Sequence, residues 1–129
     1  MSNQFTGNRI IGSGAIFMLI AVAAGAFGAH GLKTILVPEM LAVYRTAVDY
    51  QFYHALGLML CGLLARSDNH LQLRASAWLM LAGMVFFCGS LYLLSLTGLR
   101  WLGAITPIGG VCFMAAWSIL AWYMLLRKQ

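Results

Sequence analysis

The chain has 129 residues, 62% hydrophobic and 9% charged, a composition that excludes a soluble fold with a water-facing surface. Its formal charge of +5 comes from basic residues set one or two at a time at the ends of apolar blocks, so no stripe exists to track a phosphate backbone and nucleic acid is excluded as a partner. Cys61, Cys88 and Cys112 all lie inside apolar blocks without a C-x-x-C pair, which excludes a disulfide framework and a vicinal redox pair.

Met1–Asn8 reads as a short polar tail. The apolar blocks that follow are Ile10–Leu32, Phe52–Ala65, Ala75–Leu96 and Ile105–Leu126. A run of about 20 apolar residues crosses a hydrocarbon core of about 30 Å as a helix. A membrane β-barrel would instead show segments of about 10 residues with alternating polarity. The sequence therefore predicts an all-α, four-helix transmembrane bundle. It forms a single integral membrane domain over residues 1–129, with spans at 10–32, 44–65, 75–96 and 105–126. The first apolar run exceeds the roughly 7–15 residues of a signal-peptide core, so it reads as a retained span.

The first span is rich in small residues. Ala21, Gly25 and Ala29 recur at i, i+4, and Ala24 and Gly28 form a second such pair. That spacing lets helix backbones approach closely, so Ala21, Gly25, Gly28 and Ala29 are the expected packing positions, within one chain or between copies. The second helix is expected to begin near Pro38 and run to Ala65, about 42 Å at 1.5 Å per residue, so its first turns must lie in the interface, tilt or bend. Arg66–Arg74 reads as the longest polar stretch between spans. The third helix should end near Leu96-Thr97-Gly98, and Thr106-Pro107 supplies a cap and a first-turn proline for the fourth. Trp101, Trp122 and Tyr123 fit interfacial anchors. Five basic residues (Arg9, Arg66, Arg74, Arg127, Lys128) fall on the side of the termini and three (Lys33, Arg45, Arg100) on the other, which predicts cytoplasmic termini.

Ionisable groups inside spans are costly and mark candidate sites. Counting about 1.5 Å per residue from the arginines nearest the termini, His54 lies about 18 Å, Asp49 about 25 Å and Arg45 about 31 Å from Arg66. On the same count Tyr92 lies about 27 Å from Arg74, His30 about 31 Å from Arg9, and Thr106 about 31 Å from Arg127. His30, Arg45, Asp49, His54, Tyr92 and Thr106 thus converge on the outer third as a candidate ligand or proton site. Arg45 and Asp49, at i, i+4, can pair. His54 lies about 140° around the helix from Asp49, as either a core histidine or a proton switch. His30 and His54 lack a third ligand, so no metal is expected. No serine or cysteine carries the signature of an adjacent base, so no catalytic residue is expected. Gly25-Ala26-Phe27-Gly28 follows no strand and is not a dinucleotide fingerprint, so no cofactor is expected.

Four motifs in order carry a resemblance across nearly the whole chain. They are Gly25-Ala26-Phe27-Gly28-Ala29-His30-Gly31-Leu32, the run from Tyr44 to Leu56, Gly89-Ser90-Leu91-Tyr92, and Ile105-Thr106-Pro107-Ile108-Gly109-Gly110. The pattern resembles the YgdD-like family of small multi-pass bacterial inner-membrane proteins. The resemblance implies an inner-membrane location and no reaction. It also implies that His30, Tyr44, Tyr50, Gln51, His54, Tyr92, Thr106 and Pro107 belong to the shared pattern, while at Asp49 the family carries other polar residues.

The leading expectation is a non-enzymatic protein that binds a membrane partner or lipid through the outer-third polar cluster, besides the lipid bilayer itself. A homo-oligomer is the other expected assembly. The alternative is a small proton-coupled transporter or channel acting as an oligomer through His54 and Asp49. A lipid-modifying enzyme is disfavoured, since no nucleophile or metal set accompanies these groups.

Overall fold

The computed structural model describes residues 2–127. Apolar sequence without proline carries helix α1 from Ser2 to His30, so the expected polar tail is already helical. A 3-10 turn, Leu32–Thr34, leads to α2, Pro38–Ser67, with Pro38 in its first turn where no N–H is missed. Only residues 68–70 separate α2 from α3, Leu71–Gly83, so most of the expected polar loop is helix as well. A five-residue π turn, Met84–Cys88, joins α3 to α4, Gly89–Thr97, in one rod. Gly98 ends that rod at φ 73°, a left-handed conformation glycine adopts without penalty, and its N–H bonds to the Leu94 carbonyl. A second 3-10 turn, Arg100–Ala104, precedes α5, Thr106–Leu126.

The rods run up, down, up and down. The all-helical expectation holds among the described residues. The segments Ser2–Thr34, Leu71–Thr97 and Arg100–Leu126 are long and apolar enough to cross a membrane, whereas α2 falls short by composition. The physical reason is Glu39, Arg45, Asp49, Gln51, His54 and Arg66 within thirty residues. The same helix is the centre of the bundle: twelve of its residues are buried, against four on α1. The core gathers Leu58 of α2, Leu73 and Met80 of α3, and Phe113 and Leu120 of α5.

The four buried residues of α1 are Gly7, Gly14, Ala21 and Gly28, one every seven residues. A period of seven keeps one seam facing the same neighbour along two packed helices. That neighbour is α2. A methyl group on Gly7 would lie 2.7 Å from the Gly62 carbonyl, and one on Gly62 would lie 2.8 Å from the Ile11 nitrogen. A methyl group on Gly28 would strike the Tyr44 ring at 2.5 Å. The four expected packing positions divide within this chain. Ala21 and Gly28 lie on the seam, but Gly25 has 3.4 Å to its nearest neighbour, Val48, and Ala29 is exposed.

Glycine also sets the approach of α5. A methyl group on Gly109 would collide with the backbone of Phe87 in the π turn, and one on Gly83 would collide with the Phe113 ring.

Candidate functional site

The seam positions backbone carbonyls of α1 against polar side chains of α2. Tyr44 Oη donates to the Ala24 carbonyl at 2.7 Å, and Gln51 Nε2 donates to the Phe17 carbonyl at 2.8 Å. Both donors and both acceptors are seven residues apart, so these bonds share the repeat of the glycines. Tyr92 Oη then donates to Gln51 Oε1 at 2.7 Å, and the Tyr92 and Tyr44 rings meet edge to face at 5.2 Å. Gln51, 3% exposed, thus links α4, α2 and α1. In an apolar surrounding a polar group must find a partner, and this network supplies one to each member. The predicted site residue Tyr92 is engaged in holding helices together.

His54 is buried. Its Nδ1 lies 2.7 Å from the Tyr50 carbonyl, which can only accept, so Nδ1 is the donor in this contact. The ring stacks on Phe113 at 3.4 Å between centroids, and Tyr50 stacks on Phe87 at 4.5 Å. The imidazole is thus enclosed between α2 and α5.

Thr106 does not cap α5. The residue preceding the helix is Ile105, without a side-chain cap, and the Thr106 hydroxyl instead lies 2.7 Å from Ser90 Oγ. Ser90 gives its only proton to the Phe87 carbonyl at 3.0 Å, so Thr106 donates to Ser90. The pair ties α5 to the π turn, where a widened helix turn needs side-chain partners.

Arg45 and Asp49 are both exposed and form no ion pair, so the expected i, i+4 pairing is corrected. They line a cleft of about 180 Å³ between α1 and α2 at the end remote from the termini, with Gly25, Gly28 and Ala29 on its other wall. His30 is exposed and lies outside this cleft. The six predicted residues therefore do not form one cluster. Two share the cleft, three lie in separate interhelical contacts, and one stands apart. Among the described residues no group of three or more His, Cys, Asp or Glu side chains is placed to hold a metal ion.

The sequence reading missed a cluster at the end that holds the termini. Tyr123 Oη donates to Asp68 Oδ2 at 2.8 Å, Arg127 pairs with the same oxygen at 3.1 Å, and His70 Nε2 lies 3.6 Å from Oδ1. Of the three expected anchors Tyr123 is buried, 7% exposed, while Trp101 and Trp122 are exposed. Nothing in the sequence marks this contact, which joins residues 55 positions apart. Tyr123→Phe is expected to lower stability by about 1 kcal/mol, the net worth of one hydrogen bond, in unfolding titrations of the detergent-solubilised protein.

These features define a multi-pass membrane protein in which several buried or half-buried polar side chains, Tyr44, Gln51, Ser76 and Tyr92 among them, join one helix to another. The comparisons agree with that class. Residues 24–110 match the family described as "Protein of unknown function (DUF423)", and the chain belongs to this family. Relatives include a UPF0382 membrane protein of Staphylococcus haemolyticus, 47% identical over 83% of this chain and 87% of its own length. The UPF0382 membrane protein YwdK of Bacillus subtilis is 48% identical over 83% of this chain and 88% of its own length. These relatives carry the UPF0382 name, not the YgdD-like one expected from the motifs. No solved structure matches the chain.

Proposed function

We propose that this chain is a non-enzymatic four-span protein of the bacterial inner membrane that binds the transmembrane helix of a partner protein in the α1–α2 cleft. The reading of α2 as the fourth span is supported by its antiparallel alignment with α1, from Gly7 against Gly62 to Gly28 against Tyr44. Burial of Gln51 and His54 inside the bundle removes much of the cost of placing them at membrane depth. The excess of basic residues on the side of the termini supports cytoplasmic termini.

The cleft carries the functional reading. Gly25 and Ala29 leave a helix surface of small residues open, and Arg45 and Asp49 at its edge offer one charge of each sign. Small residues admit a second backbone, and the charges select a partner with polar groups at matching depth. Proton-coupled transport through His54 and Asp49 gains no support from their placement: Asp49 faces the cleft beside α1, and His54 lies against Phe113 of α5.

Gly25→Leu tests the reading without breaking the seam, because a methyl group there meets only Val48 Cγ1, at 3.4 Å, and Gly25 borders the open cleft. The variant is expected to insert in the membrane normally and to lose its co-purifying membrane partner. Retention of every partner by Gly25→Leu contradicts the proposal.

A further inference from the structure

At the end of the bundle that holds the termini, α1 and α3 leave a second and larger opening, a groove of about 390 Å³. Arg9 of α1 and Arg74 of α3 stand on its two walls. The chain has three acidic residues, and none neutralises this pair. Asp68 is engaged by Tyr123 and Arg127, and Glu39 and Asp49 belong to the first half of α2, at the far end of the bundle. The Arg9 guanidinium is held over the Phe5 ring at 4.5 Å, a contact that restrains it while leaving its N–H groups free to donate.

Below the arginines the walls become mostly apolar; the exception is Ser13 of α1, whose hydroxyl is turned back onto the Arg9 carbonyl at 2.9 Å. Ile10 on one side and Ala77, Trp78 and Leu81 on the other line the groove, and Trp78 is 69% exposed. Leu81 lies seven residues, or about 10 Å, deeper than Arg74. Both walls belong to segments long and apolar enough to cross a membrane. A cationic mouth above an apolar slot matches a molecule with an anionic head and a hydrocarbon chain. Arginine pairs bind phosphate oxygens with two parallel hydrogen bonds, and basic pockets between membrane helices take anionic headgroups.

We infer that the Arg9–Arg74 groove binds one anionic phospholipid, its phosphate between the two guanidinium groups and one acyl chain along Ile10, Trp78 and Leu81. This site is separate from the α1–α2 cleft and does not depend on the reading of that cleft.

The test is native mass spectrometry of the full chain in detergent, with phosphatidylglycerol or phosphatidylcholine of matched chains as the probe. The unmodified protein is expected to retain one phosphatidylglycerol at least about tenfold more tightly than phosphatidylcholine, the effect of one or more charge-assisted hydrogen bonds. Arg9→Gln with Arg74→Gln should erase that preference, and Lys33→Gln with Arg100→Gln, an equal loss of charge at the far end of the bundle, should keep it. Equal retention of both lipids, or equal loss in both double variants, overturns the inference. Displacement of phosphatidylglycerol by millimolar inorganic phosphate also overturns it, by assigning the site to a free anion. A reading that needs no arginine variant is tryptophan quenching by lipids brominated on the acyl chain. Brominated phosphatidylglycerol should quench more than brominated phosphatidylcholine, and Trp78→Phe should abolish the difference. Quenching that is equal for the two lipids counts against the site.

Discussion

Gly62→Leu is expected to part α1 from α2 and to lower stability more than any substitution at the cleft. A methyl group at Gly62 would meet Ile11 Cγ1 at 2.8 Å and two backbone atoms, the Ile11 nitrogen at 2.8 Å and the Gly7 carbonyl at 2.9 Å, and backbone cannot rotate aside as a side chain can. The helices must separate along the seam from Gly7 to Gly28, and packing is the main force holding them in a lipid environment. Overpacking of this kind costs about 1–3 kcal/mol for a small insertion, and leucine lies at or beyond the upper end. Gly12→Leu is the matched control, because Gly12 is exposed and nothing lies within 4 Å of a methyl group placed there. Unfolding titrations in mixed detergent micelles should show a large loss for Gly62→Leu and almost none for Gly12→Leu. Equal losses in the two variants contradict the seam.

The second large effect is expected for Gln51→Leu. Leucine fills much of the same space but ends two interhelical bonds, one to the Phe17 carbonyl and one from Tyr92 Oη. Phe17 sits within α1, so its carbonyl retains a helical bond, whereas the Tyr92 hydroxyl loses its acceptor. Hydrogen bonds between membrane helices average about 0.6 kcal/mol, up to about 1.7. Two such bonds and a stranded hydroxyl place the total at about 1–3 kcal/mol. A double-mutant cycle with Tyr92→Phe isolates the shared bond: removing the hydroxyl should cost stability in the native background and little or nothing once Gln51 is gone. Additive losses would mean that the two residues do not share a bond.

These two predictions rest on features of differing legibility. Helix identity followed from long apolar runs, and the two prolines and Gly98 marked real boundaries: Pro38 opens α2, Pro107 lies in the first turn of α5, and Gly98 ends α4. The small residues of α1 were also visible, but two repeats coexist there. The i, i+4 pattern of Ala21, Gly25 and Ala29 is the shorter and more conspicuous. The packed one is Gly7, Gly14, Ala21 and Gly28, which reaches into the segment read as a polar tail. Choosing between them requires knowing how α1 crosses α2, and one helix alone does not encode that.

The candidate site was less legible for the same reason. Depth along each helix placed Tyr92, His54, Thr106, Arg45 and Asp49 in the half of the bundle remote from the termini, but height does not fix the direction in which a side chain leaves its helix. Tyr92 meets Gln51 across 41 residues, and Thr106 meets Ser90 across 16. Thr106 before a proline has the local form of a cap, and the contact with Ser90 overrides it. The polar character of α2 was plain from its residues. Its burial at the centre of the bundle followed only once the other helices were in place around it.

The most direct test of the partner reading is photo-crosslinking in living cells from a benzophenone amino acid placed at Ala29, exposed at the edge of the α1–α2 cleft. The expected result is one discrete protein adduct that disappears when Gly25→Leu fills the cleft and is absent when the probe is moved to Gly12. Adducts to lipid alone, or a protein adduct that Gly25→Leu leaves unchanged, would contradict a partner helix in the cleft.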